Sequence, residues 1–168
     1  MKITMYVASV EVFQPMLVSL AAILDKAKAS ATARKFDPAI LVNARLAPDM
    51  FALNRQVQLA SDFAKNSTAR LAGIDPPRFE DTETTFEELQ ARIAKTLEWL
   101  KGIEPAALEG SEDRDIKVPL RDRTLEMKGL AFLRQWALPN FFFHVAAAYA
   151  ILRHNGVELG KRDFLGGV

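Results

Sequence analysis

The sequence predicts an all-α protein, a four-helix bundle with a short β-hairpin insertion. Three observations carry that expectation. Four stretches repeat apolar residues at three- and four-residue spacing, the period at which a helix buries one face. Period-two alternation, the mark of a strand, is confined to one short region, Ile116 to Met127. Finally, 49% apolar residues with few glycines and prolines describe a folded chain, and 168 residues can bury roughly 70% of their extended surface. A single domain, 1–168, is expected.

The first helix is expected from Ser9 to Ser30, with Ser9 as a cap and Val10, Phe13, Leu17, Leu20, Leu24 and Ala27 as its stripe. Pro15 interrupts the pattern, so it either kinks the helix or delays its start to Gln14. Asp37-Pro38 reads as an N-cap followed by a first-turn proline, opening a short helix from Ala39 to Arg45. A second long helix follows from Asp49 to Leu71, with Asp49 as its cheapest cap and Gly73 as its stop. Met50, Leu53, Val57, Ala60, Ala64 and Leu71 form its ridge, and Asn54, Gln58 and Asp62 form a polar row beside it.

Pro76-Pro77 marks an extended connection. The third helix, Phe86 to Lys101, opens on a capping box of Thr85 and Glu88 and ends at Gly102. Arg121-Asp122-Arg123 turns the hairpin. The last long helix lies in the nearly apolar stretch from Gly129 to Gly156, with Leu130, Leu133, Trp136, Phe143, Ala147 and Ile151 as its stripe. The run Phe141-Phe142-Phe143 implies cover on most of its surface. The tail after Gly156 reads as a loop that docks Phe164 and Leu165 and frays at its end.

Charge and composition exclude several classes. The 22 basic and 21 acidic residues are scattered, without the basic stripe that a nucleic-acid partner requires. Cysteine is absent, removing disulfides and thiolate chemistry and fitting a reducing, cytoplasmic setting. The first residues lack the apolar run and cleavage site of a signal peptide. The longest nearly uncharged stretch, Gln135 to Leu152, is short for a membrane span and holds Asn140 and His144. There is no phosphate-binding glycine loop, serine elbow or His-Glu-x-x-His zinc motif.

Asn140 and His144 stand one turn apart on the apolar helix, where a polar pair needs protein partners, a water or a metal. Three readings of His144 stay open: a buried imidazole bonded to Asn140 or to the second long helix, a loosely held metal ligand, or a catalytic base. Asn54 and Gln58 are candidates to line a pocket with it. The tail charges Lys161, Arg162 and Asp163 and the turn charges at 121–123 read as solvated.

The segments NARLAPDMFALNRQVQLASDFAK (Asn43 to Lys65) and LPNFFFHVAAAYAILRHNGVELGKRDFL (Leu138 to Leu165) resemble the uncharacterised bacterial DUF1993 family. That family is similar to the DinB/YfiT-like superfamily of four-helix bundles, many of whose members depend on a metal. The resemblance implies a site of two histidines four residues apart on the last helix and a third on the second. His144 matches the second of the pair by its spacing to Leu152, Arg153 and Gly156, and Asn140 takes the place of the first. Val145-Ala146-Ala147 replaces the Arg-Gly-Gln that follows the histidine in those relatives. The second helix has no histidine, leaving Asp49, Asn54 and Gln58 as polar candidates. The resemblance therefore implies an uncharacterised DinB-like protein whose metal site is lost or altered. No cofactor is expected beyond a divalent metal at low occupancy, on His144, Asn140 and Asp49 as weak candidates. The alternative is an enzyme using His144: a thiol-cofactor transferase, an isomerase or a metal-dependent hydrolase. A homodimer and a small-molecule ligand are the expected partners, with no nucleic acid and no membrane.

Overall fold

The computed structural model describes residues 3–167. Met1, Lys2 and Val168, at the two ends of the stretches assigned above to the N-terminus and tail, lie outside the described residues. Helix α1 spans Met5–Ala33 and runs through Pro15 without a break. Its cap is Thr4, whose Oγ1 accepts from the Val7 amide at 3.2 Å. The expected cap, Ser9, is instead buried inside the helix and donates to the Met5 carbonyl at 2.6 Å. By length and composition α1 could cross a bilayer. Here Val10, Phe13, Leu17, Leu20 and Leu24 are wholly buried, in a helix packed against its neighbours.

The restart at Asp37 is shorter than expected. Asp37 Oδ1 accepts from the Ala39 amide at 2.9 Å, and α2 covers only Ala39–Val42. Helix α3 is Leu53–Ala72, so the expected start at Asp49 is corrected: Asp49 is exposed and caps nothing. The N-cap is Ala52, which has no side-chain acceptor to offer. At the other end Gly73 adopts φ 73°, the left-handed conformation that ends helices. Helix α4, Phe86–Lys101, has the reciprocal Thr85–Glu88 capping box.

Strands β1, Asp115–Pro119, and β2, Thr124–Lys128, pair antiparallel with Ile116 opposite Met127 and Val118 opposite Leu125. Ile116 and Val118 point inward, while Lys117–Glu126 and Lys128–Asp115 pair across the outer face at 2.9 and 2.7 Å. The last long helix starts as α5, Gly129–Phe132, loosens into a π turn over Leu133–Ala137, and continues as α6, Leu138–His154. The expected loop after it contains a further helical turn, α7, Lys161–Phe164. Asp163 there accepts from the Gly160 amide and the Lys26 ammonium, and Phe164 packs edge-on against Tyr149.

The π turn explains where the expected stripe fails. It inserts one residue into the helical repeat, and one residue is about 100° of helix rotation. A stripe drawn at constant period across it therefore shifts in phase, although Leu133, Ala147 and Ile151 of that stripe stay buried. Leu130, before the turn, and Phe143, after it, are exposed, whereas Phe141, His144, Val145, Ala148, Ile151 and Leu152 are buried. Of the aromatic run, Phe141 is buried, Phe142 is half-buried and Phe143 is 56% exposed.

Four long helices form the bundle. α3 packs against α6 and α4, and α1 packs against α4 and α6. Around the bundle the order is therefore α1, α4, α3, α6. The 73–85 connection joins neighbours, whereas the segments carrying α2 and the hairpin each cross a diagonal. The second crossing brings the hairpin against α5, at the start of the last long helix.

Candidate functional site

α3 and α6 bring His144 to their seam. Its Nδ1 lies 2.8 Å from Oε1 of Gln56. The other end of the Gln56 amide donates to the Phe51 carbonyl at 3.1 Å. A carbonyl can only accept, so this second bond orients the amide with its oxygen towards the histidine. Nδ1 then carries the proton and Nε2 the lone pair. The ring stacks on Phe63 at 5.5 Å and meets Phe143 edge-on at 5.3 Å. Burial and, secondarily, the positive charge of Arg55 push its pKa down to about 4, so it is neutral at physiological pH.

The other candidates serve different contacts. Asn140 donates from Nδ2 to the Trp136 carbonyl at 2.7 Å. That carbonyl belongs to the π turn, one turn before Pro139, where backbone donors are short. Asn54 and Gln58 point to the 73–85 connection. Asn54 donates to the Glu83 carbonyl at 3.3 Å, and Gln58 donates to Glu83 Oε2 at 2.8 Å while accepting from Arg55. Asp49 is exposed in the 43–52 segment and makes no hydrogen bond to His144 or Gln56. His154 is exposed at the far end of α6.

The partner of His144 is thus Gln56, which the four-residue row of 54, 58 and 62 passes over. A sequence signal for it existed. Gln56 sits three residues after Leu53 and four before Ala60, a polar residue embedded in the apolar ridge.

Beside this seam lies a buried ionic cluster. Arg92, with a side chain 1% exposed, reaches Glu83, Asp62 and Asp81, each at 2.9 Å, and the Glu80 carbonyl at 2.9 Å. Lys65 contacts Asp62 at 3.0 Å and donates to the Pro77 carbonyl at 2.9 Å. Phe79 lies under the cations of Lys65, Arg92 and Lys95. Together these contacts strap the 73–85 connection onto α3 and α4.

On the other side of Phe63 is a cleft of about 210 Å³. α3 forms its floor through Leu59, Asp62, Phe63, Asn66, Ser67 and Arg70, and Phe132, Trp136 and the hairpin wall it.

A family model described as a domain of unknown function, DUF1993, matches residues 5–165. The chain belongs to the DUF1993 family. The crystal structure of a DinB family member protein from Shewanella denitrificans is 44% identical, covering 97% of this chain and 92% of that one, with a TM-score of 0.92. No curated protein matches the chain. This DUF1993 chain is therefore DinB-like, as its helix order and central helix imply.

The metal that the wider fold family implies can be tested against the donors. Among the described residues no group of three or more His, Cys, Asp or Glu is placed to hold an ion. His144 Nε2 is a competent donor, but Gln56 only accepts from the opposite ring nitrogen, Nδ1, Asn140 is turned to Trp136, and Arg55 adds positive charge. Neutral amides are weak ligands for the ions imidazole favours. The residues do not fit a tightly bound transition metal.

Proposed function

We propose that this DUF1993 protein binds a small organic molecule, and that a neutral hydrogen-bonding pair, His144–Gln56, stands where metal-dependent relatives place ligands. The observation that carries the reading is the double commitment of the Gln56 amide, to Phe51 and to His144, with Arg55 nearby. In that environment His144 presents an unprotonated Nε2 as an acceptor. Asn140, Asn54 and Gln58 act as supporting polar groups, the first holding the π turn and the others anchoring the strap.

The enzymatic alternative, in which His144 is a base for a transferase, isomerase or hydrolase, has less support. A base with a pKa near 4 accepts a proton reluctantly at pH 7, and burial and Arg55 both oppose the imidazolium that would form. The absence of cysteine fits a cytoplasmic setting, and the burial of the α1 face in the bundle fits a protein without a membrane partner. We propose a homodimer as the assembled form, supported by exposed Phe143 on the central helix and Val18 near Pro15.

Elemental analysis of untagged protein tests the metal side of this reading. Zinc, nickel and iron should be well below one ion per chain. A stoichiometric ion that disappears in His144→Ala would overturn it.

A further inference from the structure

The cleft beside Phe63 has a built-in polarity. Leu59, Asp62, Phe63, Asn66, Ser67 and Arg70 fall at positions i, i+3, i+4, i+7, i+8 and i+11, so they form one continuous face of α3. Leu59 and Phe63 lie towards its start with Asp62 between them, and Asn66, Ser67 and Arg70 lie towards its end. Trp136, brought in by the π turn, walls the cleft.

The charges at the two ends are treated differently. Asp62 is matched twice, by Arg92 at 2.9 Å and Lys65 at 3.0 Å. Arg70 has no carboxylate partner among the described residues and donates to the backbone carbonyl of Asn66 at 3.2 Å. Burial alone lowers its pKa, and a guanidinium stays protonated in proteins. The cleft therefore offers an uncompensated, partly desolvated guanidinium next to an aromatic wall.

Size limits the occupant. A cavity of about 150 Å³ holds benzene, so the 210 Å³ here suits a single ring with one small substituent. A guanidinium fork matches a carboxylate in geometry and charge. We propose that this cleft binds a small aromatic carboxylate, with the carboxylate on Arg70 and the ring between Phe63 and Trp136. The proposal rests on the small-ligand reading above and assigns it a ligand class.

Titration of the full chain with benzoate, followed by tryptophan fluorescence, tests it. Trp136→Phe separates the Trp136 signal from that of Trp99. Benzoate should give a saturable change that weakens with added salt, with benzyl alcohol, the neutral analogue, binding at least tenfold more weakly. Arg70→Gln should weaken benzoate at least tenfold and leave benzyl alcohol unchanged. Should that variant fail to fold, the benzoate–benzyl alcohol comparison on the unmodified protein still decides. Equal binding of the two probes would overturn the carboxylate assignment while leaving a small-ligand site standing. No saturable change with millimolar benzoate would overturn the proposal. A stoichiometric metal in the elemental analysis would instead sink the metal-free reading without altering either titration.

Discussion

His144 has one ring nitrogen committed and one available, because Gln56 cannot turn its amide without losing the Phe51 carbonyl. The consequence for stability follows from the proton balance. Above about pH 6.5 the imidazole is neutral in both folded and unfolded chains and contributes no pH dependence. Between 6.5 and about 4 the unfolded chain takes up a proton that the folded one refuses, so stability falls as pH falls. Below about 4 both are protonated and the loss levels off, at no more than about 3–4 kcal/mol. Urea unfolding at a series of pH values should show this fall in the parent and a shallower one in His144→Gln, which cannot titrate. Identical pH profiles for the two proteins would mean that the imidazole is not desolvated. The carboxylates common to both proteins cancel in that comparison.

At the scale of elements, the strap and the hairpin entry are the places where single residues hold whole segments. Arg92 answers carboxylates from both α3 and the 73–85 connection, and its removal leaves Glu83 and Asp62 short of a partner in a buried setting. Breaking such a pair by removing one member costs roughly 3–5 kcal/mol. Arg92→Leu should therefore lower stability by about that much, and amide exchange should rise first in residues 76–83. Exchange unchanged in that segment would show the strap to be held by other contacts. Gly129 opens α5 with a Cβ position 1.8 Å from the Ser111 carbonyl oxygen, which is backbone and cannot swing aside. Gly129→Ala should cost on the order of 3 kcal/mol in thermal or urea unfolding; a neutral effect would mean the α5 entry is free to shift. Legibility in the sequence followed the same lines. The capping box of α4 and the hairpin could be read because their signals are local. The start of α3 could not, since Asp49 resembles a cap whereas Ala52, the real one, carries no capping group. Likewise the π turn has no periodic signature, so the exposed position of Phe143 was hidden. His144 could be singled out by its setting, but Gln56, 88 residues away in sequence, becomes its partner only through the α3–α6 seam.

For the molecule as a whole, the large apolar groups divide between core and surface. Phe13, Phe86, Phe132 and Phe141 fill the bundle interior, which accounts for part of the eleven phenylalanines without any partner. Phe51 and Phe143 remain 55% and 56% exposed, and both adjoin the His144 site: Phe51 through its carbonyl on Gln56, Phe143 through its ring edge on the imidazole. Val18 adds a third exposed group on α1. Exposed apolar groups next to a polar seam are the kind of surface a twofold interface covers, since one patch can serve both copies. If Phe143 lies in that interface, introducing a charge there should oppose dimerisation, because two copies of the charge would be buried near the twofold axis. Sedimentation equilibrium at micromolar concentration should thus return about twice the 18.7 kDa chain mass for the parent and the chain mass itself for Phe143→Glu. Since Phe143 is already solvent-exposed in the single chain, the substitution should leave its thermal unfolding and helical circular dichroism nearly unchanged when compared at dilution. A parent mass of 18.7 kDa with no concentration dependence would rule out the stable dimer, and a dimeric Phe143→Glu would move the interface elsewhere, with the Val18 face of α1 next to be tested.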